Sequence, residues 1–306
     1  MRRSWIPLLL AVFSGPISAQ LSVSDVLSRV AEEADVLQQN APKALTQETL
    51  EQRALLPPSR FRPRMGKAAM EPAKPRLQVR EIVSEYSVST LRESASPDLV
   101  EFRQVISVDG HKVQSAESAR HALSLGVHSQ DDRMRKRMLE DFAKHGLVDV
   151  ATDYGLILLA FTKRGQQHLE VQPAGEGQIG ADTALKLAWR QTTDQEGALV
   201  FSGRQALRQA LQGILWVRKS DGLPLRVQSW ADRKESGHVV RDEGTVDYTQ
   251  SSHGFLTPAS VVHRHLVDGQ LITENLYRYE PFKLFAADTE IKFTDLPETL
   301  PPPVKK

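Results

Sequence analysis

The chain has 306 residues, with 39 basic and 38 acidic side chains and a formal net charge of +1 at pH 7. A balance this close to zero does not indicate whole-protein attraction to nucleic acid or to an anionic membrane. Because the sequence contains no cysteine, disulfides, thiol catalysis and thiolate metal sites are excluded, and burial alone must hold the fold together.

Residues 1–19 have the pattern of a cleaved signal peptide. A basic start at Arg2 and Arg3 precedes an apolar core over residues 6–13, and small residues then precede Gln20. This order predicts cleavage after Ala19. The apolar stretch is far shorter than the roughly 20 residues that span a bilayer. We therefore expect a protein that is exported to the periplasm or secreted.

The next segment, residues 20–56, has a helical pattern. Apolar residues recur at spacings of three and four from Val23 to Leu37, and Pro42 follows the end of this first helix. A second, shorter helix is predicted from Thr46 to Leu55. The sequence thus predicts an N-terminal segment made of two helices.

Residues 57–75 form a segment rich in proline and basic residues. It holds five prolines and five basic side chains. Proline fixes φ and lacks the backbone donor, so this segment is extended and cannot be a central strand. It is either a solvated linker or a basic arm that contacts anionic lipid headgroups or an acidic partner.

Strand patterns dominate residues 76–296, with two helices at about 116–145. In the strand from Val100 to Val108, the period of two places Glu101 and Arg103 on the face opposite the apolar one. The continuously apolar run from Leu156 to Phe161 predicts a strand that is buried on both faces.

Turn signals then separate the later strands. Asp109-Gly110, Ser220-Asp221-Gly222 and Asp268-Gly269 predict hairpins, a last strand is predicted from Thr289 to Phe293, and residues 297–306 form a proline-rich tail. Successive strands joined by short turns predict an α+β fold, in which a large curved antiparallel sheet, an incomplete β-barrel, wraps around helices.

Aromatic side chains concentrate on the strands of the C-terminal part, and a Met and Phe stripe follows the second of the two helices. Such residues fill a core, or they line a cavity when a curved sheet is too wide for its helices to fill. The candidate cavity residues are Met138, Phe142, Trp189, Trp216, Trp230, Tyr248, Phe255 and Tyr277.

The sequence shows no G-x-S-x-G, H-E-x-x-H, P-loop or dinucleotide-binding motif. His263 and His265 lie at i, i+2 on one strand, and Glu274 on the next strand completes a weak candidate for a metal site. We expect a protein that is not an enzyme and has no cofactor. Basic and aromatic residues are not interleaved, so nucleic acid is not an expected partner.

Two segments carry a family resemblance. The hairpin GILWVRKSDGLPLRV from Gly213 to Val227, and the strand TENLYRYEPFKLF from Thr273 to Phe285 followed by DTEI, resemble bacterial outer-membrane lipoprotein-sorting proteins and periplasmic lipoprotein carriers. The resemblance extends over the C-terminal region from Ala181 to Phe293. It implies an incomplete barrel closed by helices, with an apolar cavity that holds acyl chains, and it supplies no catalytic residues.

We therefore expect an exported, non-enzymatic protein that binds a lipid, a lipoprotein acyl chain or a similar amphiphile in the cavity, with peripheral membrane contact as a further expectation. The first alternative is an envelope scaffold with a filled core, which binds an envelope protein through the arm and the N-terminal helices. The second is a hydrolase whose carboxylates, or whose His263 and His265, converge only in three dimensions.

Overall fold

The computed structural model describes residues 22–58, 74–91, 98–127, 133–148, 150, 153–194, 198–202 and 205–285. The α-helices are α1 (Val23–Asn40), α2 (Ala116–Val127) and α3 (Arg133–Lys144), and 3₁₀ helices span Ala41–Lys43, Tyr154–Phe161 and Gly165–His168. The strands are β1 (Ala44–Leu56), β2 (Arg76–Leu91), β3 (Asp98–Val108), β4 (His111–Lys112), β5 (Leu169–Ile179), β6 (Asp182–Gln191), β7 (Ala198–Ser202), β8 (Gln205–Gln209), β9 (Gln212–Arg218), β10 (Pro224–Glu235), β11 (His238–Gln250), β12 (Leu256–Val267), β13 (Gln270–Tyr279) and β14 (Lys283–Leu284).

One open antiparallel sheet dominates the fold. Its strand order is β4-β3-β2-β1-β13-β12-β11-β10-β9-β6-β5, with β14 added to β1, while β7 and β8 form a separate two-stranded sheet. The two edge strands β4 and β5 do not pair with each other, so the sheet does not close. The predicted α+β fold with an incomplete barrel is confirmed.

The first predicted helix is confirmed as α1. It begins at a capping box, in which Ser22 Oγ accepts a hydrogen bond from the backbone N–H of Asp25 at 3.1 Å. The second predicted helix, Thr46 to Leu55, is wrong, because this segment is strand β1. Two polar side chains on its buried face, Glu48 and Gln52, hide the strand alternation from a reading of apolar residues.

Helices cover one face of the sheet, which we call the inner face. The apolar side of α1, two residues of α3 and the 3₁₀ helix Tyr154–Phe161 join the sheet in one core cluster. The helical members of that cluster are Val26, Val30, Ala34, Leu37, Met138, Phe142, Leu156, Leu158 and Phe161.

The strand predicted over Leu156 to Phe161 is therefore wrong, because this segment is a 3₁₀ helix. A run that is apolar in every position is buried equally well as a strand or as a helix, so its pattern does not distinguish the two.

The opposite, outer face of β2 and β3 is covered by α2. Val100 and Phe102 pack there against Leu123 of α2 and form a small second core. Glu101 and Arg103 consequently face the inner side, where both are buried, and not the solvent side that the alternation suggested. Both faces of β3 are covered, so polarity alone did not identify the inner one.

The predicted hairpins at Asp109-Gly110, Ser220-Gly222 and Asp268-Gly269 and the helices at about 116–145 are confirmed. The predicted signal peptide, residues 59–73 of the proline-rich segment, the strand predicted over Thr289–Phe293 and the tail 297–306 lie outside the described residues. Within the described part of the chain, no helix has the length and the apolar character that a membrane crossing needs.

The strands define two ends of the sheet. At the mouth end, β1, β10 and β12 begin with Ala44, Pro224 and Leu256. At the arm end, β1 finishes with Leu56 and β2 begins with Arg76, so the proline-rich segment between them leaves the sheet there.

The packing of α1 gives a direct test of the fold. Leu37 is 1% exposed in the core, whereas the adjacent Val36 is 37% exposed on the other side of the same helix. We expect Leu37→Ala to lower the free energy of unfolding by about 2–5 kcal/mol, because it removes buried methyl groups and leaves a cavity. Val36→Ala is the matched control, with an expected loss of about 0.5 kcal/mol or less in urea denaturation. Equal losses would contradict the placement of α1.

Candidate functional site

A pocket of about 400 Å³ opens at the mouth end of the sheet. This volume lies within the range of small-ligand sites, roughly 300–1,000 Å³. The pocket is lined by Ile179, Asp182, Arg218, Leu223, Leu225, Arg226, Asp247, Tyr248, Thr249, Gln250 and Leu256.

The pocket lies where two neighbouring strands part. The ladder between β10 and β11 ends at the pair Arg226–Asp247, although β11 continues to Gln250 in its pairing with β12. Register shifts occur at the same level, between Pro224 and Arg226 and between Asp247 and Tyr248. Such irregularities bend a strand and interrupt its ladder locally, and the pocket lies at this level of the sheet.

The floor of the pocket is apolar and belongs to the core. Leu223, Leu225, Tyr248 and Leu256 are each less than 9% exposed. The Tyr248 hydroxyl donates to the carbonyl of Gly155 at 3.0 Å and accepts from the backbone N–H of Leu158 at 3.1 Å. Tyr248 therefore fixes the 3₁₀ helix beneath the pocket.

The rim of the pocket is charged but balanced. Arg226 makes a bidentate pair with Asp247, with Nε–Oδ1 and Nη2–Oδ2 distances of 2.5 and 3.0 Å. Arg218 donates to Asp221 at 3.0 Å and lies 3.3 Å from Asp182. A polar head group at this rim would therefore find both donors and acceptors within reach.

Helix α1 contacts the β9–β10 turn, which precedes the pocket residues Leu223 and Leu225. A Cβ atom at Gly222, in the β9–β10 turn, would lie only 3.3 Å from Cγ of Arg29 in α1. On the opposite side of the helix, the Gln166 side chain donates to the carbonyl of Leu27 at 2.7 Å. The N-terminal half of α1 is thus held against the mouth end.

Most of the predicted cavity residues are buried members of the core cluster. Trp189 packs edge-to-face against Phe161, with ring centroids 5.2 Å apart. Only Tyr248 of the eight candidates also lines the described pocket. The core members are Met138, Phe142, Trp189, Tyr248, Phe255 and Tyr277.

The two remaining candidates lie on the outer face. Trp216 pairs with Lys186 and Arg226 across the sheet, and its Nε1 donates to Gln228 at 3.0 Å. Trp230 alternates with the buried Ser229 and Ala231 and is half-buried. Neither tryptophan can line the inner side, because the period of two turns both away from it.

Sequence reasoning missed the aliphatic and charged lining of the pocket. The hairpin around Gly222 was recognised, but the parting of β10 from β11 depends on register shifts that no residue type specifies. Pro224 and Pro258, which lack a backbone donor and lie at the two register shifts, were the available signals of an interrupted ladder.

A buried ionic cluster lies on the inner face of β1 and β3. Arg103 donates to Glu48 through Nε at 2.7 Å and Nη2 at 2.8 Å, and Nη2 also lies 2.8 Å from Glu101. All three side chains are 1% exposed. The Arg103 guanidinium also lies between the rings of Tyr86 and Tyr277, at 5.1 and 5.2 Å.

This cluster holds the 3₁₀ helix to the sheet. Glu101 accepts a hydrogen bond from the backbone N–H of Asp153 at 2.9 Å, and the Asp153 carboxylate accepts from the backbone N–H of Glu101 at 2.8 Å. Burial raises the pKa of the Glu48 carboxyl, although Arg103 opposes this shift. The cluster therefore fixes Asp153, which precedes the 3₁₀ helix in a left-handed conformation.

A second polar cluster surrounds Asp242 nearer the arm end. Oδ1 of this carboxylate lies 2.7 Å from Nδ1 of His265 and 3.4 Å from Nε2 of His263, while Arg233 donates to Oδ2. Burial opposes ionisation, but the hydrogen bonds from these three side chains outweigh it and hold the pKa of Asp242 well below its ordinary value of 3.8.

The histidine pair therefore binds a carboxylate in this structure. Asn275 Nδ2 lies 3.2 Å from His263 Nδ1, so both ring nitrogens of His263 have protein partners. Glu274 lies on the outer face and pairs with Arg264 at 2.7 Å, so its suggested place beside the histidines is wrong. Among the described residues, no three His, Asp or Glu side chains are arranged as metal ligands.

The Asp242 cluster predicts a pH dependence of stability. A carboxyl whose native pKa lies below its unfolded value contributes stability above about pH 4, and this contribution is lost as the pH falls. Asp242→Asn should therefore cost about 2–4 kcal/mol at pH 7, and the difference from wild type should shrink towards pH 3. Urea denaturation of both proteins at pH 7 and at pH 3 measures this difference in the free energy of unfolding.

Asp232→Asn is the matched control, because Asp232 also pairs with an arginine, Arg241, but on the exposed outer face. We expect Asp232→Asn to lower the free energy of unfolding by about 1 kcal/mol or less. A penalty for Asp242→Asn that stays constant between pH 7 and pH 3 would contradict the assignment.

Comparison with known proteins finds structural similarity only. No protein-family model and no curated protein matches the sequence. The fold is similar to an outer membrane lipoprotein-sorting protein domain from Vibrio parahaemolyticus, at 7% identity and a TM-score of 0.30, over 85% of this chain and 95% of that chain. It is also similar to a DUF1329 family protein from Desulfovibrio piger, at 10% identity and a TM-score of 0.35, over 86% and 95%.

Proposed function

We propose that the protein is an exported, non-enzymatic protein that binds an amphiphile in the pocket at the mouth end. The observation that supports this is a pocket whose apolar floor is continuous with the core and whose rim is charged. An amphiphile has the same division, with an apolar chain and a polar head. A lipid or the acyl chain of a lipoprotein belongs to this ligand class.

The apolar part of the ligand would lie against Leu223, Leu225 and Leu256. Each methylene removed from water there contributes about 0.8 kcal/mol. This contribution needs no motif, because burial of an aliphatic chain is not directional. The head group would lie beside Arg226 and Arg218, where it competes with or bridges the aspartates that already pair with them.

The filled core limits how deeply the ligand enters. Phe142, Trp189 and Tyr277 are each 3% exposed or less and pack against other side chains of the inner face. A chain that penetrated between them would have to displace α1 or the 3₁₀ helix. We therefore place the ligand at the mouth, with only part of its length buried.

The N-terminal pattern supports export as part of the same proposal. The basic start, the short apolar core and the small residues before Gln20 favour cleavage near Ala19. The mature protein would then work in the periplasm, an aqueous compartment in which an amphiphile is carried bound to protein.

The filled core also favours a second candidate function. An envelope scaffold needs no cavity, and an interior packed by α1, α3 and the 3₁₀ helix fits that role. Such a protein would bind a partner through its outer surfaces. The pocket distinguishes the two candidates, because a scaffold has no need of an apolar floor that is open at the mouth.

Blocking the pocket tests the proposal. Gln250 is exposed and lines the pocket, so Gln250→Trp should obstruct it without altering the core. We expect the protein to bind a dansyl-labelled undecanoic acid at a 1:1 ratio, and we expect Gln250→Trp to weaken that binding about tenfold or more. Fluorescence titration gives the affinity, and native mass spectrometry gives the ratio.

Gln270→Trp is the matched control, because Gln270 is also exposed on a strand but lies at the arm end. Its affinity for the probe should stay within about twofold of wild type, as expected for a surface change away from the pocket. The proposal would be wrong, and the scaffold favoured, if the wild type did not bind the probe or if both variants lost the same amount of affinity for it.

A further inference from the structure

The arm end carries an unusual concentration of exposed apolar side chains. Of the described residues, six large apolar side chains are more than a third exposed, and four of these lie at the arm end. The four are Leu77 at 65%, Val79 at 54%, Val239 at 48% and Leu271 at 43%.

Strand register brings several of them together on the outer face. Leu77 pairs with Leu55 of β1, and β13 lies on the other side of β1. A register shift between β12 and β13 turns Leu271 to the outer face, where it pairs with Leu266. We call Leu55, Leu77, Val79, Leu266 and Leu271 the apolar row, which crosses four adjacent strands.

Nothing in the described part of the chain covers this row. The neighbouring Gln78 points to the inner face and donates to the carbonyl of Gly146 at 3.0 Å, so Leu77 and Val79 point outward. Helix α2 covers the outer face of β2 and β3 further along, near Phe102. A contiguous exposed apolar surface of this kind marks an interaction site.

Basic residues accompany the row. The segment 57–75, which joins β1 to β2 at this end, holds five basic residues and one acidic residue in its sequence. Of these, Lys74 is described and exposed, as is Arg76 at the start of β2. The acidic side chains beside the row are Glu51, Glu274 and Asp268, which pair with Arg53, Arg264 and His238, and Glu81.

We infer that the apolar row, with Lys74 and Arg76, docks the protein on an anionic lipid surface. Aliphatic side chains enter the boundary between headgroups and acyl chains, and basic side chains beside them attract anionic headgroups. A protein helix would need a groove, whereas the row lies on the open outer face of a sheet. The chemistry therefore favours a lipid surface over a peptide partner.

This surface is separate from the pocket. The row lies at the arm end and the pocket at the mouth end, so the strands separate them. A strand of 13 residues such as β11 spans about 40 Å at about 3.3 Å per residue. The inference therefore does not depend on what the pocket binds.

Vesicle sedimentation of the full chain without its signal peptide tests the inference. We expect partition onto phosphatidylethanolamine vesicles with about 30% phosphatidylglycerol to exceed partition onto phosphatidylcholine vesicles about tenfold at low salt. Leu77→Asp with Val79→Asp should lower partition onto the anionic vesicles about tenfold or more, because it replaces two inserted aliphatic side chains with charges.

Val36→Asp with Val113→Asp is the matched control. Both valines are exposed, at 37% and 51%, both lie outside the apolar row, and the double change adds the same charge. This variant should stay within about threefold of wild type, as expected if only long-range repulsion is added. Circular dichroism checks that both double variants fold, and binding of the dansyl-labelled acid should be unchanged in both.

Three outcomes would overturn the inference. The first is equal partition of the wild type onto both kinds of vesicle, or onto neither. The second is an equal loss of partition onto the anionic vesicles in the two double variants. The third is a dimer in analytical ultracentrifugation that Leu77→Asp with Val79→Asp dissociates while vesicle partition is unaffected, which would assign the row to a protein contact.

Discussion

An open antiparallel sheet must have its inner face covered, and the rest of this structure follows from that constraint. A closed barrel buries its interior with its own strands, but here β4 and β5 remain apart. Segments outside the sheet therefore supply the missing side. Helix α1, helix α3 and the 3₁₀ helix Tyr154–Phe161 do so, and they share one core with the strands. Burial of their apolar side chains is the main stabilising contribution, in a chain without disulfides.

Polar contacts decide how the covering segments are placed. The Glu48–Arg103–Glu101 cluster binds the backbone at Asp153, and Gln52 binds the backbone of Val148 through both of its amide atoms. Ion pairs this deeply buried add little net stability, because desolvation offsets their attraction. Their directional hydrogen bonds instead fix the position of the 3₁₀ helix Tyr154–Phe161 on the inner face. The apolar surface left at the mouth, on β10, β11 and β12, is where the pocket forms.

Much of the fold could be predicted from the sequence, because period and turn residues report directly on local structure. The hairpin at Ser220-Gly222 and the helix α1 are examples, and both were predicted. The strand β1 could not be recognised, because Glu48 and Gln52 occupy its buried face and their partners come from other strands. A buried polar residue resembles an exposed one until the partner is known.

The candidate site was harder to predict for the same reason. Four of the six candidates from the strand aromatics and both residues of the Met and Phe stripe lie in the core, but the pattern did not indicate which face each strand residue occupies. Trp216 and Trp230 point outward because the register of β9 and β10 is set by Leu215 and Val227 on the inner side. The pocket itself depends on where two ladders shift register, which is a property of the assembled sheet and not of any segment.

We propose that the packed side chains of the inner face leave no room for a ligand, so that a ligand binds only at the mouth. A fatty acid with a photoactivatable diazirine at its chain end, crosslinked to the protein and mapped by mass spectrometry, tests this most directly. We expect crosslinks confined to the pocket, at Ile179, Leu223, Leu225, Tyr248 and Leu256. Crosslinks centred on Phe142 and Trp189, deep in the core, would contradict it, because they would show that the helices leave the inner face when the ligand enters.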